Sequence, residues 1–208
     1  MAASVVNETV DYYTKRGGTV YGLALDASKA FDRVEFTKLF ECLIKRNVNP
    51  VVIRFLINMY LNQNVRVKFN QSCSEFFQVS NGVKQGGVLS PILFSVFIDV
   101  LLESLRNSGY GCKIGDQYVG CISYADDIII LTASLYSLNK MIKVCEKFAS
   151  DFQVKFNGNK SKLIIFNRGN TNFKPTVFVN SEEVEVVNEL NYLGSIISNK
   201  IDDTCKGF

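Results

Sequence analysis

The sequence predicts an α+β fold, and three observations carry that prediction. Short apolar runs bounded by turn formers read as strands, the clearest being the two that flank Asp126-Asp127 in Cys121-Ile-Ser-Tyr-Ala-Asp-Asp-Ile-Ile-Ile-Leu131. Longer stretches place apolar residues at helical spacing, as Leu135, Leu138, Met141, Ile142, Val144, Cys145, Phe148 and Phe152 do. The order of these strands and helices along the chain is that of the α+β class. With 208 residues, 47% of them hydrophobic and 12% aromatic, the chain can build one substantial core, as one domain or two closely packed lobes.

From the N-terminus, residues 1–18 read as a weak helix that the glycines after Lys15-Arg16 bring to a C-cap and a turn. Thr19-Val-Tyr-Gly-Leu-Ala-Leu-Asp26 reads as a strand whose C-terminal end delivers a carboxylate. The spacing of Phe31, Val34, Phe36, Leu39, Phe40, Leu43 and Ile44 predicts a helix, with Asp32 as its N-cap. Asn49-Pro50 starts the next helix, whose apolar face is Val52, Ile53, Leu56, Ile57 and Tyr60. Val65–Phe69 and Phe76–Val79 alternate at period two around Asn70-Gln71-Ser72 and read as a hairpin; Arg66 and Lys68 share one face, either solvated or set against a phosphate backbone. Ser90-Pro91 opens a helix that runs to about Asn107 and is ended by Ser108-Gly109; a turn-rich connection follows. After the helix that ends near Phe152, Gln153–Phe156 reads as a strand, Asn157-Gly-Asn-Lys-Ser-Lys162 as a basic turn and Leu163–Phe166 as another strand. Thr176–Asn180 and Glu183–Val187 read as a hairpin around Ser181.

Composition excludes several chemistries. The chain has no histidine, and its six cysteines are widely spaced without a C-x-x-C, which argues against a zinc site and against any mechanism needing an imidazole. With no basic-then-apolar segment at the N-terminus, the cysteines read as reduced and core-filling. The longest apolar stretch, Pro91 to Leu102, is too short to span a bilayer and contains Asp99, so a soluble, intracellular protein without a membrane partner is expected. A formal charge of +3 is too small to identify a nucleic-acid binder by itself, so any basic surface must be local.

Adjacent carboxylates against an apolar sheet are costly unless a cation or hydrogen bonds neutralise them; a lone Asp-Asp pair is also compatible with a plain polar turn. Asp26 at the end of an earlier strand adds a third carboxylate. Between them, Ser80-Asn-Gly-Val-Lys-Gln-Gly-Gly-Val-Leu-Ser-Pro91 offers three glycines for close backbone approach, donors on Lys84 and Gln85, and a helix N-terminus suited to phosphate. It does not match the G-x-x-x-x-G-K-[ST] loop of the common nucleoside triphosphatases. Asp26, Asp126 and Asp127 are a candidate set for two Mg²⁺ ions in phosphoryl transfer.

These stretches resemble the motifs of reverse transcriptases, most closely those of non-LTR (LINE-type) retrotransposons. Leu25-Asp-Ala-Ser-Lys-Ala-Phe-Asp32 is similar to the first catalytic motif, Gly82–Pro91 to the nucleotide-contacting motif, and Tyr124-Ala-Asp-Asp127 to the catalytic hairpin. Asn157-Gly-Asn-Lys160 and Tyr192-Leu-Gly194 resemble the fourth and fifth motifs, in the right order. A lone YADD is weak, but this ordered set is specific. The resemblance implies a right-hand polymerase fold, an antiparallel palm sheet with packed helices from residues 19–33 and 85–198, and the second half of the fingers from residues 34–84. It implies an RNA-directed DNA polymerase using two Mg²⁺ ions, or Mn²⁺ in their place, with an RNA template, a DNA primer and deoxynucleoside triphosphates. Asp26, Asp126 and Asp127 would hold the metals, with a backbone carbonyl from Ala27. Phe31 falls where the family keeps an aromatic that excludes the ribose 2′-hydroxyl. Lys84, Gln85 and Gly86 would line the incoming nucleotide, Lys160 would assist the pyrophosphate leaving group, and Tyr192, Leu193 and Gly194 would grip the primer. Residue 87 is Gly where many relatives have Ser, a difference expected to matter little.

Only about 25 residues precede Asp26 and fourteen follow Gly194, so the first part of the fingers and the thumb are expected to be missing. The chain then reads as part of a longer polyprotein, or a truncated copy with low activity alone, in the nucleus if it acts by target-primed integration and otherwise in the cytoplasm. A non-catalytic nucleic-acid-binding remnant, a group II intron maturase and an RNA-dependent RNA polymerase stay open as alternatives; Phe31 speaks against the last.

Overall fold

The computed structural model describes residues 2–84, 86–167 and 174–199. In chain order its main elements are α1 (Ala2–Thr14), β1 (Val20–Ala27), α2 (Phe36–Lys45), α3 (Pro50–Leu61), α4 (Ser90–Asn107), β2 (Cys121–Tyr124), β3 (Asp127–Thr132), α5 (Leu135–Phe152), β4 (Phe156–Phe166), β5 (Glu185–Val187), β6 (Glu189–Tyr192) and β7 (Ser195–Ser198). They fall into two compact units, one of residues up to Ser28, Leu101–Asp151 and from Lys155 onward, the other of Lys29–Val100 and Phe152–Val154.

The first unit is built on a five-stranded sheet in the order β5-β4-β1-β3-β2, with β1 in the centre. Strands β1, β2, β3 and β4 pair antiparallel, but β5 pairs parallel to β4 through Leu163↔Val186, so the sheet is mixed rather than wholly antiparallel. Alternation sends Val20, Ile129, Leu131, Ile164 and Phe166 to one face, where they pack with Val6 and Val10 of α1 and with Leu190, Tyr192 and Ile197 of the β6–β7 hairpin. Residues one step along, Leu23, Leu25, Ile128, Ile130 and Leu163, are buried on the other face. Cys121 lies on that side, paired with Ile130, and near enough to Cys145 of α5 to add to the burial that pushes the Cys145 thiol up. Of the described cysteines, Cys42, Cys112 and Cys145 fill the core, Cys121 is half-buried and Cys73 is exposed. In the N-terminal helix the buried hydroxyls of Thr9 and Thr14 donate to carbonyls one turn back, so neither is left unpaired on the packing face of α1.

The second unit packs α2 and α3 through Phe36, Leu39, Phe40, Leu43, Ile53, Leu56 and Tyr60, the rings of Phe36 and Tyr60 being 5.1 Å apart. Asn49 caps α3 by accepting from the Val51 N–H at 2.9 Å, as Asn-Pro implied. Two sequence expectations fail here. Asp32 is not the N-cap of α2: it lies in a 3-10 turn, Phe31–Arg33, Val34 is extended, and the helix begins after Glu35 without a side-chain cap. The hairpin of residues 64–78 forms, but with a tighter turn, since Phe69 pairs with Ser72, and its two short ladders are one residue out of step.

Two further corrections concern the end of α5 and strand β4. Gln153 does not begin a strand; it follows α5 with φ 55°, the left-handed residue that turns the chain into β4. Asn157–Lys162 is not a turn between two strands but a bulge inside β4, because β1 pairs on both sides of it. The hairpin of residues 178–183 is likewise shorter than the pattern suggested: Asn180 and Ser181 form a turn with φ 50° and 64°, and Glu185–Val187 leaves to join the main sheet. Among the described residues no helix is long and apolar enough to cross a membrane.

Candidate active site

Register in the central sheet puts the carboxylates together. Asp26, near the end of β1, lies directly opposite Asp127, the first residue of β3, and Asp127 also pairs with Tyr124. Directly opposed residues on antiparallel strands point to the same face with Cβ atoms about 5 Å apart. The turn is therefore Ala125-Asp126, and Asp127 belongs to the strand rather than the turn. Ala125 takes φ 53°, a left-handed conformation that costs an alanine on the order of 1 kcal/mol and that the turn imposes beside its two carboxylates.

The electrostatics of this corner call for a cation. Partial burial, then the charges of Asp126 and Asp26, push the Asp127 carboxyl above its usual range. The Oδ2 of Asp26 is buried without a hydrogen-bond partner. A buried carboxylate oxygen left unpaired is costly, and a hard cation is the ligand that would satisfy it. Among the described residues no three His, Cys, Asp or Glu side chains close into a ligand cage of their own. Burial pushes the Cys112 and Cys121 thiols up to about 12, so neither offers a thiolate at neutral pH.

The bulge in β4 binds a second group of residues to Asp26. Ala24 pairs with Lys162 and Asp26 with Asn157, so Gly158–Ser161 are looped out of the ladder. The Asp26 N–H instead donates to Ser161 Oγ at 3.1 Å, and that hydroxyl donates to the Asn157 carbonyl at 2.7 Å. Lys160 precedes Ser161 with its side chain exposed, and its N–H donates to Asn157 Oδ1 at 3.2 Å. Ser161 was not singled out in the sequence, where one serine in a basic stretch carries no signal; its fully buried position shows only in the fold. Ser161→Ala leaves one donor and one acceptor without partners, so the variant is expected to unfold about 1–3 kcal/mol more easily in urea. A loss below about 0.3 kcal/mol would mean that the bulge does not depend on this hydroxyl.

Tyr192-Leu193-Gly194 forms the β6–β7 turn in the same unit. Leu193 and Gly194 take φ 51° and 74°, the pair of left-handed residues a two-residue hairpin turn requires. Tyr192 is buried, and its hydroxyl reaches the Ile122 carbonyl of the β2–β3 hairpin at 3.5 Å. Burial, followed by the Asp127 charge, pushes its phenol up to about 12.

The remaining candidates lie in the second unit. Phe31 stacks on Phe94 with ring centroids 4.4 Å apart, and its carbonyl accepts the Val83 N–H at 2.9 Å. Gly82 takes φ 95°, and a Cβ there would sit 2.9 Å from the Asp32 carbonyl oxygen, so only glycine lets this loop lie on the 3-10 turn. Lys84 and Gly86 are exposed beyond it; Gln85 lies outside the described residues. Lys84, Tyr60, Val83 and Ser90 help line a cleft of about 900 Å³. Ser90 Oγ donates to the Lys84 carbonyl and closes the loop. A Cβ on Gly87 would lie 2.7 Å from Ser90 Oγ and 3.0 Å from the Lys84 carbonyl oxygen, so a serine here would need the Ser90 hydroxyl to turn aside and the loop to give by a few tenths of an ångström.

The sequence profile of the family described as "Reverse transcriptase (RNA-dependent DNA polymerase)" matches residues 2–197. The chain belongs to the reverse transcriptase family. It is 29% identical over 93% of its length to a transposon TX1 uncharacterized 149 kDa protein of Xenopus laevis, covering 15% of that protein. It is 28% identical over 92% of its length to the Retrovirus-related Pol polyprotein from type-2 retrotransposable element R2DM of Drosophila melanogaster, covering 19% of it. An RNA-directed DNA polymerase from mobile element jockey of Drosophila funebris is 26% identical over 85% of the chain. These relatives place it with the non-LTR reverse transcriptases, and it spans less than a fifth of their lengths. In fold it is similar to apo telomerase from Candida tropicalis, with a TM-score of 0.68 at 14% identity over 95% of this chain and 38% of that one.

Within this reverse transcriptase chain, Asp26, Asp127, Asp126, Lys160, Ser161 and Tyr192 belong to the first unit, and Phe31, Lys84 and Gly86 to the second. The raised carboxyl of Asp127 has a consequence for stability. An acid whose folded pKa lies above its unfolded value destabilises the fold once ionised; the penalty is absent below the unfolded pKa and grows as pH rises through the folded one. Asp127→Asn should therefore raise the melting temperature at pH 7 and lose that advantage near pH 3. Equal shifts at both pH values would remove the carboxylate repulsion from the account.

Proposed function

We propose that the chain is the polymerase core of a non-LTR retrotransposon reverse transcriptase, adding deoxynucleotides to a DNA primer 3′-hydroxyl on an RNA template. The observation that carries the reading is the register that sets Asp26 opposite Asp127 and leaves the buried Asp26 Oδ2 without a partner. Asp26 and Asp127, with Asp126 on the turn, would hold two divalent ions. Bound there, Mg²⁺ lowers the pKa of the attacking hydroxyl and stabilises the leaving oxygen. Ser161 fixes the backbone of Asp26, and Lys160 would offer a cation from the same bulge; by the family motif, Phe31 of the second unit would offer a flat ring to the nucleotide sugar. Longer-range template and primer contacts belong to the whole protein, of which relatives of this kind carry five times the length or more.

Primer extension with Mg²⁺ by this chain within its longer polyprotein tests the reading, comparing RNA with DNA templates and deoxy- with ribonucleotides. Synthesis on RNA from deoxynucleotides is expected, and synthesis from ribonucleotides alone would overturn it. Mg²⁺ titration followed by amide NMR supplies an arm that needs no turnover: shifts are expected at Asp26, Asp126 and Asp127, and their absence would remove the metal assignment.

A further inference from the structure

We propose that Glu182 is a positioning residue for the loop that carries Lys160. Its catalytic consequence rests on the polymerase reading above; its structural content does not. The bulge in β4 takes the N–H groups of Gly158 and Asn159 out of the ladder with β1. Both donate to one carboxylate oxygen, Glu182 Oε2, at 2.8 and 3.3 Å. Glu182 thus does for the outer side of the loop what Ser161 does for the inner side, where it holds the Asp26 N–H and the Asn157 carbonyl. The backbone on either side of Lys160 is held by named groups, while its side chain is left exposed.

The fit between this loop and the hairpin that bears Glu182 is close. A Cβ on Gly158 would lie 2.6 Å from Glu182 Cβ and 2.7 Å from the carbonyl oxygens of Glu182 and Val179, so only glycine allows the approach. The hairpin is itself fixed by Asn180, whose Nδ2 donates to the Phe156 carbonyl and whose N–H donates to Glu146 Oε1, both at 2.8 Å. Val179 pairs with Glu182 across its turn. A rigid hairpin presenting a charged acceptor to two unpaired N–H groups is a brace: it selects one arrangement of the loop and aims the cation the loop carries.

The test uses Glu182→Ala and Glu182→Gln in the full chain. Hydrogen exchange at the Gly158 and Asn159 amides is expected to speed up about tenfold or more in Glu182→Ala and less in Glu182→Gln, while Leu163 and Ile164 keep their protection. Unchanged exchange at residues 158 and 159, or loss of protection throughout β4, overturns the brace. In primer extension, Glu182→Ala should slow synthesis about tenfold in the parent and less than twofold in a Lys160→Ala background, because it acts through that lysine. Additive losses would overturn the positioning role. A parent polyprotein without Asp126-dependent synthesis would instead overturn the polymerase reading, and the exchange arm, run on the chain itself, would still decide whether Glu182 holds the loop.

Discussion

Asp126→Asn, placed in a chain extended with the fingers and thumb segments, is expected to abolish primer extension, by about a thousandfold or more, while leaving the fold intact. Asparagine keeps the shape of the side chain and removes the charge that would hold a divalent ion between enzyme and phosphates. The loss of several kcal/mol of transition-state stabilisation corresponds to a rate factor of roughly that size. The fold should not suffer, because Asp126 is exposed on a turn and its charge is one of those that raise the Asp127 carboxyl. Single-turnover extension and thermal melting, measured together, separate the two effects. Extension within tenfold of the parent would sink the metal-ligand role.

Phe31→Ala carries the second large effect, on sugar selectivity. A flat ring beside the nucleotide sugar leaves no room for a 2′-hydroxyl, and a methyl group does. A steric change of this kind is worth roughly 10–200-fold in discrimination. Incorporation of ribo- against deoxynucleotides measures it. Phe31 also stacks on Phe94, so some stability is lost in any case. If stability falls and selectivity is unchanged, Phe31 serves only that stacking.

Much of this architecture was legible in the sequence where the signal is local. The spacing of Leu138, Met141, Ile142, Cys145 and Phe148 placed α5, and Asn49-Pro50 and Ser90-Pro91 placed two helix starts, because caps and periodicity depend on neighbours in the chain. What depends on a distant partner was misread. The polar run Asn157–Lys162 looks like a turn, and only the pairing of β1 on both sides of it makes it a bulge. Asp32 has the composition of an N-cap, but the loop at Gly82 and Val83 bonds to Val34 and Phe31 and holds this stretch outside the helix. The carboxylate set was legible as a motif, whereas Ser161 and Glu182 acquire their roles from residues 135 and 24 positions away.

Strand order gives the two halves of the carboxylate pair unequal resistance to thermal opening. Asp26 is on the innermost strand of the sheet, whereas Asp126 and Asp127 are carried by the hairpin that ends at its β2 rim. Rims of sheets fray at lower free energy than their centres. Opening that starts at the β2 rim therefore reaches the Ala125-Asp126 turn before it reaches β1, and backbone amides of Ile122 and Tyr124 are expected to exchange at lower free energy than those of Leu23 and Ala24. Tyr192, whose hydroxyl reaches the Ile122 carbonyl, ties this rim strand to the β6–β7 hairpin, and Tyr192→Phe is expected to speed that exchange.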